Sequence, residues 1–189
     1  VQGLSRAGIF ENIDFAIQSG EILGLSGLVG AGRTEIARTI FGLDPIDTGS
    51  IILDGQPMPE GFQIHDAMDR GMALVPEDRQ RQGLILPESV EDNLTLPSLK
   101  AFSKLLGLDR DSRGKAAHGL IQRMGIKTAN PSSPVQSLSG GNQQKIVLGK
   151  WVYRQPRLFL LDEPTRGVDV GAKEEVHRMI RTLARSGSA

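Results

Sequence analysis

The chain has 189 residues, of which 39% are hydrophobic, and this is enough for one domain or for one core with a small subdomain. Its 22 Lys and Arg residues balance its 22 Asp and Glu residues, so charge gives no case for nucleic acid or an anionic membrane surface as a partner. The absence of Cys excludes disulfides and thiolate metal sites, and no apolar run is long enough to predict a membrane-spanning helix.

Four short apolar runs bounded by turn residues predict β-strands. They are residues 21–25 (EILGL), 50–53 (SIIL), 72–75 (MALV) and 158–161 (LFLL). The first run enters a glycine-rich stretch, residues 27–32. A helix follows from Arg33, because apolar residues recur at helical spacing until Gly42 stops the pattern. The sequence therefore predicts the order strand, glycine-rich loop, helix.

Residues 87–135 differ in residue pattern from the part of the chain before them, and this pattern predicts short helices. Ser89 begins the first of them, with Asp92 three residues on, as in a capping box. We therefore predict a helical subdomain at 87–135, inserted into an α/β core that consists of residues 1–86 and 136–189.

The α/β pattern resumes after this insertion. Helices are predicted at 140–153 and 172–185, on either side of the strand 158–161. The chain stops at Ala189, the point at which the next strand of an αβ unit is expected to follow the helix. We therefore expect the sequence to be truncated at its C-terminus.

Residues 27–34 (GLVGAGRT) match the phosphate-loop pattern G-x-x-x-x-G-K-[ST] at every fixed position but one, where Arg33 replaces Lys. In such a loop the backbone N–H groups turn inward on phosphate, and the following helix adds partial positive charge. The candidate phosphate-binding residues are Gly27, Gly30, Ala31, Gly32, Arg33 and Thr34. Because Arg brings a wide planar fork instead of a compact ammonium, we expect binding to survive and transfer of the γ-phosphate to suffer. The alternative is a glycine loop that only turns a strand into a helix.

Two carboxylates, Asp162 and Glu163, follow the apolar run 158–161 directly. Carboxylates at the end of a buried parallel strand lie beside the phosphate loop in this architecture. Asp162 and the hydroxyl of Thr34 are then candidate Mg²⁺ ligands, and Glu163 is the candidate residue that activates the attacking water. The alternative is a strand that ends in exposed acids.

Residues 138–145 (LSGGNQQK) contain a second candidate anion-binding nest, formed by Ser139, Gly140 and Gly141 at the start of a helix. The order of phosphate loop, LSGG, apolar strand and Asp-Glu resembles that of the ABC ATPase family. This resemblance implies binding of ATP and Mg²⁺, with the Ser139–Gly141 nest reaching across a dimer to the γ-phosphate held by the partner's phosphate loop. Taken alone, the four residues could also be an ordinary helix cap.

Shorter strings extend the resemblance. Residues 167–169 (GVD) resemble the D-loop, which contacts the partner, and residues 75–79 (VPEDR) occupy the place of the Q-loop. The usual Gln of the Q-loop is Glu77 here, a candidate Mg²⁺ ligand that also adds negative charge near a triphosphate. The family's switch histidine would lie beyond Ala189, and none of the three histidines stands in its place: His65, His118 and His177. Packing is the favoured role of the aromatic residues Phe10, Trp151 and Tyr153.

Four strings together resemble the C-terminal half of the duplicated ATPase subunit of bacterial monosaccharide importers, of the ribose, galactose and arabinose type or of the autoinducer-2 type. They are GEILGLSGLVGAGRTE, PEDR, LSGGNQQK and DEPTRGVDVGAK. The resemblance implies an α/β fold with a P-loop NTPase (ABC ATPase) core, a small antiparallel β portion near residues 1–58 and the inserted helical subdomain.

The same resemblance implies an ATPase that drives solute uptake. The implied partners are a second nucleotide-binding domain in the same full-length chain, a transmembrane permease and, indirectly, a periplasmic or extracellular sugar-binding protein. The implied location is the cytoplasmic face of the bacterial inner membrane, as a peripheral subunit. No nucleic-acid partner is expected.

Two other functions are weighed against this one. A catalytically degenerate regulatory module would bind nucleotide and complete the partner module's ATP site; Arg33 and Glu77 favour it, whereas Asp162 and Glu163 oppose it. An ABC ATPase of DNA repair or translation would be expected to show basic surfaces or long coiled-coil insertions, and the sequence has neither. We expect an asymmetric pair of sites, in which the signature of this chain, residues Ser139 to Gly141, completes the stronger one.

Overall fold

The computed structural model describes residues 1–104 and 107–189, and short strands alternate with helices along the chain. The strands are β1 (Gln2–Arg6), β2 (Phe10–Ile13), β3 (Thr48–Ser50), β4 (Ile52–Leu53), β5 (Gln56–Pro57), β6 (Met72–Val75), β7 (Ser103–Lys104), β8 (Gly107–Leu108) and β9 (Leu158–Leu161). The helices are α1 (Arg33–Ile40), α2 (Ile64–Asp69), α3 (Val90–Thr95), α4 (Arg110–Arg123), α5 (Gly140–Val152) and α6 (Val170–Arg185). A π-helical turn (Arg79–Gly83) and 3₁₀ segments (Leu96–Phe102 and Val135–Ser137) lie between them.

The described chain divides into two compact units. The first consists of Val1–Leu74, Pro156–Asp162 and Arg181–Ala189, and the second consists of Val75–Gln155 and Glu163–Ile180. Helix α6 therefore begins in the second unit and ends in the first.

An antiparallel sheet in the order β2-β1-β3 forms the N-terminal part of the first unit. Leu4 of β1 lies opposite Ile13 of β2, and Gln2 lies opposite Ser50 of β3. The side chain of Leu4 is fully buried, whereas Gln2 is exposed. Strands β4 and β5 form a further antiparallel pair. This arrangement confirms the small antiparallel β portion that was predicted near residues 1–58.

Helix α1 begins at Arg33, as its sequence predicts. Its apolar stripe is buried: Ile36, Ile40 and the C-capping Phe41. Gly42 has a φ of 78°, and its N–H donates to the carbonyl oxygen of Thr39 at 3.1 Å, which ends the helix. A Cβ at Gly42 would lie 2.9 Å from the ring of Phe62, so glycine is required there for space as well as for conformation.

The predicted strand at residues 21–25 is wrong. This stretch has no strand assignment, and its side chains Ile22, Leu23 and Leu25 are 56%, 40% and 44% exposed. An apolar run becomes a strand only when neighbouring strands satisfy its N–H and C=O groups, and none of the sheets formed by the described residues includes it.

The other predicted strands form, with differences in burial and continuity. β6 is buried at every residue, and it pairs with β9 in a two-stranded sheet. β9 is half-buried instead of fully buried. The predicted strand at 50–53 is interrupted at Ile51, which lies between β3 and β4 and is itself buried.

Helices α3, α4 and α5 form most of the second unit. Ser89 caps α3, because its hydroxyl accepts from the N–H of Asp92 at 2.9 Å, and this confirms the predicted cap. Helix α4 begins at Arg110, because the side chain of Asp109 accepts from the N–H of Ser112 at 3.1 Å and caps the helix. Helix α5 is buried along most of its length, with Ile146 and the neighbouring apolar residues fully enclosed.

The aromatic residues pack as the sequence indicates. Phe10 and Trp151 are 7% and 6% exposed. Tyr153 is 41% exposed, and its ring centroid lies 5.0 Å from that of Phe102 at an interplanar angle of 40°. This is an ordinary aromatic packing distance.

Candidate functional site

The loop at residues 27–34 contains two glycines in the left-handed backbone region and one tight turn. Gly30 and Gly32 have φ values of 83° and 80°, the left-handed region that glycine adopts without steric cost. The N–H of Ala31 donates to the carbonyl oxygen of Leu28 at 3.1 Å, which closes the turn. The side chains of Leu28 and Val29 are 85% and 99% exposed, so the loop projects into solvent.

Helix α1 starts at the end of this loop with its N-terminus uncapped by a side chain. Gly32 is the N-cap residue and forms no side-chain cap, although its carbonyl oxygen accepts from the N–H of Ile36 at 2.9 Å. A helix begins with N–H groups that lack intrahelical partners, and an anion can satisfy them. The loop and the half-buried Arg33 and Thr34 therefore fit a phosphate group.

Two glycines of this loop lie close to neighbouring atoms within the first unit. A Cβ at Gly32 would lie 3.1 Å from the carbonyl oxygen of Ile9, and a Cβ at Gly27 would lie 3.2 Å from the Cβ of Ala31. At both positions a side chain would press on the loop. Gly32, which also has a positive φ, is the position of the two where the fold favours glycine more strongly.

The two candidate carboxylates follow β9 but differ in exposure. Asp162 is half-buried and belongs to the first unit, together with the phosphate loop. Glu163 is exposed, belongs to the second unit and has a φ of 45°, which is uncommon for a residue other than glycine. Its carbonyl oxygen accepts from the N–H of Arg166 at 2.9 Å, so the chain turns sharply after β9.

The signature residues form a capped helix start in the second unit. The hydroxyl of Ser139 accepts from the side-chain amide of Asn142 at 3.0 Å, and its backbone carbonyl accepts from the N–H of Gln143 at 2.9 Å. The two glycines lie against neighbours: a Cβ at Gly140 would be 2.7 Å from Nη2 of Arg79, and a Cβ at Gly141 would be 2.7 Å from the Cβ of Ala172. The structure therefore brings the signature together with Arg79 and the start of α6.

Glu77, the residue at the usual Gln position of the Q-loop, forms an ion pair with Arg166. The side chain of Glu77 is 35% exposed and that of Arg166 is 63% exposed. This pairing was not foreseen from the sequence, because the two residues are far apart in the chain. The negative charge that Glu77 introduces is balanced by an arginine of the same unit.

Arg79 is the residue that sequence reasoning missed. Its guanidinium donates from Nη1 to the carbonyl oxygen of Arg166 at 2.7 Å and from Nη2 to that of Gly167 at 2.9 Å. The available signal was its position in the string PEDR, two residues after Glu77. The string carries the family resemblance but indicates no role for the arginine.

Two lysines of α5 are buried and bind backbone carbonyls. Lys145 donates to the carbonyl oxygen of Gly125 at 2.8 Å and lies 2.5 Å from a carboxylate oxygen of Glu175. The hydrogen bond from Lys145 lowers the pKa of the Glu175 carboxyl. Lys150 donates to the carbonyl oxygen of Gly83 at 2.7 Å, and burial lowers its pKa to about 8.

The metal candidates belong to different units, with Thr34 and Asp162 in the first and Glu77 in the second. Among residues 1–104 and 107–189, no group of three or more His, Cys, Asp or Glu side chains gathers as a metal cluster. Thr34 and Asp162 are the candidate oxygen donors of the first unit. Mg²⁺ held together with nucleotide phosphates fits such a donor set.

The three histidines are not among the candidate site residues. His65 has a ring nitrogen 3.4 Å from Asp66, and His118 has one 3.0 Å from the side-chain amide of Gln122. His177 is exposed on α6.

In the part of the chain that the structure describes, no helix is both long and apolar enough to cross a bilayer.

The chain matches a protein family over most of its length. The family model described as "ABC transporter" matches residues 10–166, which include the phosphate loop, the signature and the Asp-Glu pair. Two solved ATP-binding cassettes have the same fold. One, a dimer in a post-hydrolysis state bound to ADP and Pi, gives a TM-score of 0.80 at 20% identity and covers 98% of this chain and 81% of that one. A nucleotide-free cassette from an ABC transporter gives a TM-score of 0.82 at 16% identity and covers 99% of this chain and 77% of that one.

Curated relatives match the whole chain at higher identity. A putative ribose/galactose/methyl galactoside import ATP-binding protein of Rhizobium etli is 48% identical over all 189 residues, which span 36% of its length. The ribose import ATP-binding protein RbsA of Geobacillus kaustophilus is 46% identical over the same residues, which span 38% of its length. The chain thus spans little more than a third of these relatives. The chain belongs to the ABC transporter family and has the fold of its ATP-binding cassettes.

Proposed function

We propose that the chain is an ATP-binding module of an ABC importer, which couples ATP binding and hydrolysis to the uptake of a sugar or sugar-like solute. The observation that carries the proposal is the glycine loop at the N-terminus of α1, where no side chain occupies the cap. An uncapped helix start beside glycines in the left-handed region is suited to bind phosphate. The names of the relatives, import ATP-binding proteins for ribose and galactosides, support the solute class.

We assign the phosphate groups to the loop of the first unit. Its backbone N–H groups and the Arg33 side chain would hold them, and the residues concerned are Gly27, Gly30, Ala31, Gly32, Arg33 and Thr34. Mg²⁺, when bound with ATP, neutralises charge on the phosphate oxygens. Its proposed protein ligands are Thr34, Asp162 and Glu77. Glu163 is the proposed residue that orients and deprotonates the attacking water.

Ligation of a metal by Glu77 would compete with its ion pair to Arg166. Arg166 is more than half exposed, so solvent can replace the pairing at small cost. The ion pair also places a neutralising charge beside the acid that replaces Gln. We propose that this compensation lets the Q-loop segment carry a carboxylate.

The proposed partners are those of an ABC importer, and the names of the relatives support this class. They are a second nucleotide-binding domain in the same full-length polypeptide, a transmembrane permease and, indirectly, a periplasmic or extracellular sugar-binding protein. The proposed location is the cytoplasmic face of the bacterial inner membrane. We further propose that residues 87–135 form the helical subdomain, between core segments 1–86 and 136–189.

A second candidate function is a catalytically degenerate module, which binds nucleotide and completes the ATP site of its partner. Arg33 in place of Lys favours it, because a planar fork cannot reproduce the contact of a compact ammonium with two phosphates. Glu77 in the place of the usual Gln favours it too, because a carboxylate adds negative charge near a triphosphate. In both functions Ser139, Gly140 and Gly141 act on ATP held by the partner module.

The test is ATP hydrolysis by the complete natural polypeptide with its permease, comparing Gly141→Asp with Arg33→Ala. Gly141→Asp should reduce the rate roughly a hundredfold or more, the typical effect of losing one donor from a preorganised anion site. Arg33→Ala should have a smaller effect, because its site contributes less turnover. A larger loss from Arg33→Ala would contradict the asymmetric assignment. Absence of ATPase activity in the assembled wild-type complex would contradict the proposed function.

A further inference from the structure

One guanidinium in the second unit joins segments that lie far apart in the chain. Arg79 donates to two consecutive carbonyl oxygens, those of Arg166 at 2.7 Å and Gly167 at 2.9 Å. Both distances are in the normal range for charge-assisted hydrogen bonds. The planar fork of arginine is suited to two parallel acceptors, so this contact fixes the backbone of residues 166–167 relative to residue 79.

The same guanidinium lies against the signature. A Cβ at Gly140 would be 2.7 Å from Nη2 of Arg79 and 3.2 Å from the carbonyl oxygen of Gly167. At 2.7 Å a side chain at 140 and the arginine in its present position cannot coexist. Glycine at this position therefore admits the arginine, and the arginine fills the space beside the signature.

The side chain of Arg166 is held as well, by its ion pair with Glu77. The short stretch 77–79 thus binds Arg166 through both its side chain and its carbonyl oxygen. Within residues 1–104 and 107–189, Nε of Arg79 is buried without a hydrogen-bond partner. Burial of this polar group without a partner carries a cost.

From residue 167 the chain continues directly to the start of α6. Asp169 caps that helix, with its carboxylate accepting from the N–H of Ala172 at 2.9 Å. Ala172 in turn faces Gly141, where an added Cβ would lie 2.7 Å from its own. The signature glycines therefore have Arg79 on one side and the first turn of α6 on the other. That turn follows shortly after residues 166–167, which Arg79 holds.

We infer that Arg79 is a positioning residue, which holds residues 166–167 and thereby the first turn of α6 against the N-terminus of the signature helix α5. Its effect on ATP turnover rests on the proposed function, but its effect on local order does not. Loss of the fork leaves two carbonyl oxygens and the Gly140 surface without their contact. The signature nest and the start of α6 then lose their common support.

The direct test is amide hydrogen exchange in the complete natural polypeptide. The reporters are protected N–H groups at the two helix starts: Asn142, Gln143, Ala172 and Lys173. Arg79→Ala should accelerate exchange at these amides about tenfold or more while distant helices keep their protection. Arg79→Lys should also accelerate it, to a smaller extent, because one ammonium cannot match two carbonyls as the fork does.

Arg81→Ala is the matched control. Arg81 belongs to the same π-helical turn, its side chain is 88% exposed, and its carboxylate contact with Asp78 is 3.8 Å long. Its removal changes net charge as Arg79→Ala does but leaves the segment 166–167 untouched. The inference would be overturned if the reporter amides exchanged at the same rate in the Arg79→Lys variant and the wild type. It would also be overturned if Arg81→Ala accelerated their exchange as much as Arg79→Ala does.

The functional readout is the separation of kcat from KM for ATP in the assembled transporter. Arg79→Ala should lower kcat about tenfold or more and leave KM within about twofold, since misplaced groups slow chemistry more than they weaken binding. Added guanidinium ion at millimolar concentration should restore part of kcat, whereas methylammonium should not. An unchanged kcat in an active wild-type background would overturn the positioning role. An inactive wild type with the predicted exchange pattern would count against the proposed function and leave the positioning role standing.

Discussion

The ammonium of Lys150 donates to the carbonyl oxygen of Gly83 at 2.7 Å, and both groups are buried. This contact ties helix α5, which starts with the signature, to the end of the π-helical turn that contains Arg79. Burial disfavours the charged amine and lowers the pKa of Lys150 from 10.5 to about 8. A buried lysine of this kind makes the stability of the fold depend on pH.

The sign of that dependence follows from the direction of the shift. Because the pKa in the folded chain lies below 10.5, the unfolded chain binds more protons between about pH 8 and pH 10.5. The free energy of unfolding should therefore rise with pH in this window. Relative to Lys150→Met, the wild type should gain on the order of 3 kcal/mol between pH 7 and pH 10.5. Chemical denaturation of both proteins at the two pH values measures this, and parallel profiles would refute it.

Substitution of two helical glycines should change stability in opposite directions. Gly119 of α4 is exposed, and a Cβ there would meet nothing within 4 Å, so Gly119→Ala should stabilise the fold by roughly 0.5–1 kcal/mol. Gly141 of α5 would place its Cβ 2.7 Å from that of Ala172, so Gly141→Ala should destabilise it by about 1–3 kcal/mol. Denaturant titration of both variants checks the contrast. Stabilisation by Gly141→Ala would show that the signature and α6 are not packed as described.

A buried hydroxyl in α1 gives a further test of packing. Thr39 is fully buried, and its Oγ1 has no hydrogen-bond partner within residues 1–104 and 107–189. Thr39→Val should therefore stabilise the fold by about 1 kcal/mol. Thr95 is equally buried, but its Oγ1 donates to the carbonyl oxygen of Glu91 and accepts from Arg113, each at 2.8 Å. Thr95→Val should cost about 1–3 kcal/mol, and equal effects of the two changes in thermal melts would contradict the assignment of partners.

The features that could be predicted from sequence are those with local causes. The start of α1 follows from glycines and apolar spacing within a dozen residues, and the cap of α3 follows from Ser89 and Asp92. The strand predicted at 21–25 failed because a strand depends on neighbours, which an apolar run does not specify. The lower burial of β9 has the same origin, since it depends on what covers the sheet.

The candidate site divides in the same way. The phosphate loop and the signature are local patterns of glycine and hydroxyl residues, and their positions could be named in advance. The contacts of Arg79 with residues 166–167 and of Glu77 with Arg166 join parts of the chain 87–89 residues apart. A single sequence gives the chemistry of these side chains but not the partners that long-range folding provides. The roles of the site residues in ATP binding stay predictions.

The central claim, that this chain binds Mg²⁺-ATP at its phosphate loop, is tested most directly by calorimetric titration with two variants of α1. Thr34→Val removes the hydroxyl proposed as a Mg²⁺ ligand, and Thr39→Val removes a hydroxyl of the same helix that is buried away from the loop. The wild type and Thr39→Val should bind ATP with equal affinity and with the same dependence on Mg²⁺. Thr34→Val should bind about tenfold more weakly in the presence of Mg²⁺, a difference of about 1.4 kcal/mol, and should lose most of that dependence. Absence of binding heat from the folded wild type at millimolar ATP, or an unchanged affinity in Thr34→Val, would contradict the account.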